Sequence, residues 1–352
     1  MDKILPSSDD PLFSIFIIVV LVLLTAIVSY IMGSYKEDRK EKSLKRFLGK
    51  IDTRIFPLDM ENIPFEASLI SPLSSLAGSL ADNGEYQRSI GLYLYLIKHI
   101  VEFPKKEYLL ESLGKTYLKA GFLERSETIF LEILHKHPRN SEALYYLEVV
   151  YEFLGEYDKA RETIVPLKTL GVSANILESN LNLLRLVKNS DLRESEKFDK
   201  LVGYLETSDY SYRRVIQELF KLDKERTWAF IDDTKAHLVL DILWFLPTSN
   251  LNLDIIVKSD IFKSIYMAKG ILPIENIEIK SDIFAIDVIV SALKSEKNRK
   301  NEMDLTFSYL CGSCKQSFPI SFVRCHQCYA LDSISISETI SKKQSQRGYS
   351  LL

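Results

Sequence analysis

Residues 76–93 read LAGSLADNGEYQRSIGLY, residues 113–130 read LGKTYLKAGFLERSETIF, and residues 147–164 read LEVVYEFLGEYDKARETI. Each opens on Leu, places a bulky side chain four positions on (Leu80, Tyr117, Tyr151) and then a glycine (Gly84, Gly121, Gly155). A bulky residue follows at plus two and a small one at plus five (Ser89, Ser126, Ala160). Apolar positions four apart share one face of a helix. A glycine closing such a run supplies the left-handed conformation that ends it. The small residue lets a second helix lie close to the first. The pattern therefore predicts helix–turn–helix pairs, and its leucines and aromatics are core residues rather than a cofactor box.

Gly121 and Gly155 are 34 residues apart, as are Pro104 and Pro138. That period and this pattern resemble the tetratricopeptide repeat (TPR). Three units span 67–174, and each proline is expected to close a second helix. Gly84 and Gly121 are 37 apart, which predicts a longer second helix in the first unit. From 175 to 303 the pattern fades while helical periodicity persists, so degenerate helical repeats are expected there. The pentapeptide KSDIF begins at Lys258 and again at Lys280, each copy supplying a Ser or Asp suited to capping a helix. A stacked array leaves a long face suited to binding a peptide or another protein.

All four cysteines of the 352-residue chain lie near its end, as Cys311-Gly-Ser-Cys314 and Cys325-His-Gln-Cys328. Two C-x-x-C knuckles flanking a ten-residue loop suit one tetrahedral metal held by Cys311, Cys314, Cys325 and Cys328. The expected metal is zinc, with iron as the alternative. Tyr309, Phe318 and Phe322 are the candidate core of a ribbon over 304–336, followed by a tail over 337–352. Four protein ligands leave no open coordination position. His326, between two ligands, reads as an exposed residue without a role.

Residues 12–32 carry no charge, enough length to cross a bilayer as a helix. An acidic flank precedes them, and Lys36, Arg39, Lys40, Lys42, Lys45, Arg46 and Lys50 follow. The expectation is a short tail over 1–11 facing outward, a transmembrane helix over 12–33, a basic juxtamembrane linker over 34–66 and a cytoplasmic remainder. Clustered thiols agree with a reducing compartment. The net charge of -3, with only Lys315 and Arg324 adding positive charge within the ribbon, argues against a nucleic-acid partner. No G-x-S-x-G, P-loop, H-E-x-x-H or G-x-G-x-x-G occurs, so an enzyme is not expected. The fold class read from the sequence is all-α: a TPR-like helical solenoid with a transmembrane helix at one end and a rubredoxin-type four-cysteine ribbon at the other.

Anchor, repeats and C-x2-C-x10-C-x2-C ribbon in this order are similar to the bacterial lipopolysaccharide assembly protein B (LapB/YciM) family. Tyr309, two residues before the first knuckle, fits that resemblance, as do the Tyr30-Ile-Met-Gly33 exit from the span and the second repeat. The chain differs from the family's usual pattern at Lys315 (Gly), Val323 (Trp) and His326 (Pro). The resemblance implies a single-pass adaptor of the bacterial inner membrane that regulates lipopolysaccharide biosynthesis. Its implied partners are a lipid A pathway deacetylase and the membrane protease FtsH.

Overall fold

A computed structural model describes residues 65–100, 102–172, 174–207, 212–274, 281–295 and 302–343. The expected anchor at 12–33 lies outside the described residues. Among those described, no helix is long and apolar enough to cross a membrane. The chain divides into two compact units, with the boundary between Leu109 and Leu110.

The first unit holds helices α1 (Ile70–Asp82) and α2 (Tyr86–His99), packed as a hairpin. Ala77 and Ala81 of α1 and Ser89, Ile90, Leu92, Tyr93 and Leu96 of α2 are buried. Phe65 stacks on His99, with ring centroids 4.9 Å apart. Helix α3 (Phe103–Lys119) contains the division between the units.

The second unit continues with α4 (Leu123–Lys136), α5 (Ser141–Leu154) and α6 (Tyr157–Thr169). Each hairpin turn has the geometry its glycine promised. Gly84, Gly121 and Gly155 adopt φ of 81°, 78° and 76°. At the last of these, Gly155 N–H donates to the Glu152 carbonyl at 3.1 Å and Glu156 N–H to the Tyr151 carbonyl at 2.9 Å. This paired bonding ends a helix by satisfying two of its last carbonyls. The small residues also do what their size allows. Ser126 is fully buried and its hydroxyl donates to the Gly114 carbonyl at 2.8 Å. Gly114 itself lies against the Phe130 ring, 2.8 Å from where a Cβ would stand.

Two expectations are corrected here. Helices α2 and α4 both have 14 residues, so the first unit's second helix is not longer. The three additional residues belong to α3, which has 17 residues where α5 has 14. Nor does Pro104 close α2, which ends at His99. It sits in the first turn of α3, where a missing N–H costs nothing.

Beyond 174, α7 (Asn175–Lys188) and α8 (Glu194–Thr207) precede α9 (Tyr212–Leu222). Short elements then follow: α10 (Leu240–Phe245), α11 (Asp260–Ala268), α12 (Phe284–Ser295) and several single turns. Capping side chains set these lengths. Asp223, Asp232, Asn252 and Ser259 each accept a backbone N–H two or three residues on. Ser259 is the N-cap that KSDIF suggested, whereas Ser281 of the second copy donates to Asp287 at 2.7 Å and accepts from Ile283 N–H at 3.2 Å, ahead of a helix that begins at Phe284. One core joins these helices, with Trp228 and Tyr266 among its largest buried side chains.

The ribbon is a three-stranded antiparallel sheet ordered β2-β1-β3, made by β1 (Met303–Cys311), β2 (Ser317–Phe318) and β3 (Ile334–Lys342). Strand β3 pairs with β1 from Cys311↔Ile334 to Met303↔Lys342. The ribbon therefore continues past 336, and 337–342 are strand rather than tail. Alternate residues of β1 share a face. Leu305 on that face enters the helical core, while Tyr309 and Cys311 join a separate small core with Phe322 and Cys325.

Candidate metal centre

The sheet and two tight loops bring the four cysteines together. Cys311 is the last residue of β1. Its N–H donates to the Gln316 carbonyl at 2.9 Å and its carbonyl accepts from Lys315 N–H at 2.9 Å. The second knuckle repeats this pattern. Cys325 N–H donates to the Ala330 carbonyl, and Tyr329 N–H donates to the Cys325 carbonyl, both at 2.9 Å. Lys315 and Tyr329, each just after the second cysteine of its knuckle, take φ of 60° and 58°. The left-handed turn is a property of the loop, met here by residues with side chains.

The four sulfurs lie within 4.8 Å of one another. Cys311 Sγ to Cys328 Sγ is 3.7 Å, and Cys314 Sγ to Cys325 Sγ is 3.7 Å. Thiolates at about 2.3 Å from a tetrahedral ion stand about 3.8 Å from each other. The cysteines thus fit a four-thiolate metal site. Cys311 and Cys325 are buried, and Cys314 and Cys328 lie nearer solvent. Burial pushes the Cys311 thiol up, but the Ser333 hydroxyl and the N–H groups of Cys314 and Ser313 outweigh it and bring it down to about 6. Burial pushes Cys328 up to about 12 and also raises Cys325. A cation bound by these sulfurs displaces their remaining protons.

Tyr309, Phe318 and Phe322 surround this centre as expected, with Phe318 and Phe322 rings 5.2 Å apart. His326 is exposed, its ring edge-on to both phenylalanines.

The ribbon is seated by residues far apart in the chain. Arg324, which precedes Cys325, is buried and donates to Glu148 Oε2 at 3.1 Å and to Glu152 on α5. Burial disfavours its charge, but Glu148 and Glu152 outweigh that and hold the guanidinium cationic. Glu152 also accepts from Asn180 of α7 at 3.0 Å, and Asn180 accepts from Arg214 of α9 at 2.5 Å. Tyr145 of α5 donates to the Tyr329 carbonyl at 2.8 Å. A second network starts at Arg213, which grips Asp241 of α10 with both terminal nitrogens and Ser321 of the ribbon at 3.0 Å. Trp244 Nε1 donates to Asp304 at 3.0 Å. In the sequence Arg324 reads only as a ribbon charge. The available hint was Glu148, a carboxylate embedded in the apolar run LEVVY.

Fold and site together define a mostly helical, TPR-like repeat protein with a four-cysteine cluster of metal-binding geometry. Among solved structures, a tetratricopeptide repeat protein from Parabacteroides merdae is 16% identical, covering 64% of this chain and 100% of its own, with a TM-score of 0.33. A kinesin light chain protein from Podosopora anserina with nearly identical TPR-like repeats is 16% identical, covering 67% and 100%, with a TM-score of 0.28. MamA of MSR-1 is 13% identical, covering 65% and 98%, with a TM-score of 0.27. No family model and no curated protein matches the sequence. The repeat assignment stands on the hairpins themselves.

Proposed function

We propose that this chain is a protein-binding adaptor at the cytoplasmic face of a bacterial inner membrane. On this reading it brings a lipid A pathway deacetylase to the membrane protease FtsH and so restrains lipopolysaccharide synthesis, with no chemistry of its own. The observation that carries the binding role is the seating of the ribbon on α5 through buried ion pairs and on α9 and α10 through hydrogen bonds. Ribbon and second-unit helices are packed together, and a four-thiolate site keeps no position open for substrate. The membrane location and the named partners rest on the uncharged stretch at 12–32 and on the sequence resemblance. The metal in this reading is zinc, holding the ribbon folded.

Tethering raises the local concentration of a client near a membrane protease. Depleting the protein should lengthen the deacetylase half-life and increase lipopolysaccharide output. An unchanged half-life with an envelope defect would point to a different client. With no envelope defect either, the lipopolysaccharide role is lost and the binding scaffold remains. Iron in the purified chain, seen by its visible absorption, would favour electron transfer instead.

A further inference from the structure

Both flanks of the second knuckle are held by one helix. On the near side of Cys325, Arg324 is fixed by Glu148 and Glu152 of α5. On the far side of Cys328, the Tyr329 carbonyl accepts from Tyr145 of the same helix at 2.8 Å and from Arg324 at 3.0 Å. Arg324 and Tyr145 thus meet at one carbonyl, and the loop of Cys325 and Cys328 is pinned at its entry and its exit. Arg324 is 4% exposed and Glu148 fully buried, so water does not screen these contacts. None of the three α5 residues is near the cysteines in sequence.

We propose that Tyr145, Glu148 and Glu152 of α5 are positioning residues for the four-cysteine site: they set its metal affinity from the helical repeats, and the metal in turn keeps the ribbon seated on α5. The reasoning is thermodynamic. A short four-cysteine segment folds with its metal, so whatever stabilises the folded, seated segment adds to metal binding. Groups that orient metal ligands without touching the ion commonly change affinity by about 10- to 100-fold when removed. Linkage is reciprocal, so losing the metal must loosen the seat by the same factor. The inference concerns metal and ribbon only, and it stands or falls independently of any client.

The test is a chelator competition on the full chain, following Co²⁺ by its thiolate absorption and then Zn²⁺. Glu152→Gln should weaken metal binding about tenfold or more and Tyr145→Phe several-fold. Arg324→Lys should recover part of what Arg324→Ala loses. Lys159→Ala, which breaks an exposed pair with Glu156, should leave affinity unchanged. Removing the metal should speed hydrogen exchange across 141–154 and spare 70–82. Affinities of both α5 variants within about twofold of the parent, at unchanged helical content, would overturn the proposal. So would exchange across 141–154 that is indifferent to the metal. If Glu152→Gln does not fold, Tyr145→Phe decides, because it removes a single hydroxyl and no charge.

Discussion

Tyr309 of β1 donates its hydroxyl to Asp241 of α10 at 2.7 Å, across 68 residues of sequence. Asp241 already receives both terminal nitrogens of Arg213, at 2.5 and 2.6 Å. One buried carboxylate therefore serves a helix neighbour and a strand of the ribbon. Removing one partner of a buried pair strands the other, at about 3–5 kcal/mol, whereas an ordinary hydrogen bond contributes about 1 kcal/mol. Asp241→Ala should lower unfolding stability by about 3 kcal/mol or more and Tyr309→Phe by about 1 kcal/mol. Urea titrations followed by circular dichroism would measure both, and equal losses would contradict the hub role of Asp241.

Sulfur spacing gives the second prediction. The purified chain should hold about one zinc ion per molecule. Replacing Cys311 and Cys314 with Ser should abolish metal uptake and unfold the tip while most of the helical signal persists. Metal analysis with near- and far-ultraviolet dichroism reads each part. A ribbon fully ordered without metal would count against the site.

Burial pushes Glu148 from its ordinary value of 4.5 up to about 7, with Arg324 opposing and Glu152 reinforcing the shift. Its Oε1 has no hydrogen-bond partner among the described residues. Between pH 4.5 and 7 the folded chain holds a proton that the unfolded chain has released. This group's contribution to stability is thus complete below about 4.5 and lost as the pH rises through 7. Asp332, raised by burial from 3.8 to about 6, adds a parallel slope at lower pH. Glu148→Gln should flatten stability against pH across that upper window. Midpoints of chemical unfolding at pH 5, 6, 7 and 8 would show it, and a parallel, unflattened curve would refute the assignment.

Lys315 pays a backbone penalty at φ 60°. A residue with a side chain in that region costs roughly 1–2 kcal/mol, and glycine returns part of this as unfolded-state entropy. Lys315→Gly should therefore raise ribbon stability by about 0.5–1 kcal/mol. The thermal midpoint of the metal-loaded chain is the readout, and a lower midpoint would mean the Lys315 Nζ contact to the Gly312 carbonyl matters more than the turn.

Gly114 gives the opposite sign. A Cβ there would stand 2.8 Å from the Phe130 ring. Overpacking of a buried contact costs typically about 1–3 kcal/mol, so Gly114→Ala should destabilise the α3–α4 hairpin by that order. Gly203→Ala, where a Cβ meets nothing within 4 Å, is the matched control. Equal effects at the two sites would show that helix propensity rather than contact dominates.

What the sequence disclosed was local. Gly155, its bulky neighbours and Ala160 lie within one hairpin, so their spacing specifies the turn and the close approach together. The two C-x-x-C knuckles are equally self-contained. The seating of the ribbon is not, because Arg324 meets Glu148 and Glu152 across 176 and 172 residues, and the lone carboxylate inside an apolar run at Glu148 does not say which residue it meets. The stretch after 174 was legible only in part. Its helical periodicity shows in the sequence, but the capping residues Asp223, Asp232 and Asn252 divide it into short helices that periodicity alone cannot foresee. Strand β3 is less legible: Ile334, Ile336 and Ile340 fall on one face, but Glu338 interrupts the alternation and no ligand beyond Cys328 marks the segment.

Strand β1 has one further implication, for how such a chain can change over time. Its inward residues run without a break from Leu305 in the helical core to Cys311 at the tip. A one-residue insertion or deletion between them would turn Tyr309 and Cys311 to the opposite side of the sheet. The length of this segment is thereby frozen, while its outward residues remain free to vary. The ribbon cannot be lifted out and grafted elsewhere as a cassette, since its first ligand is positioned by the same strand that plugs the helices.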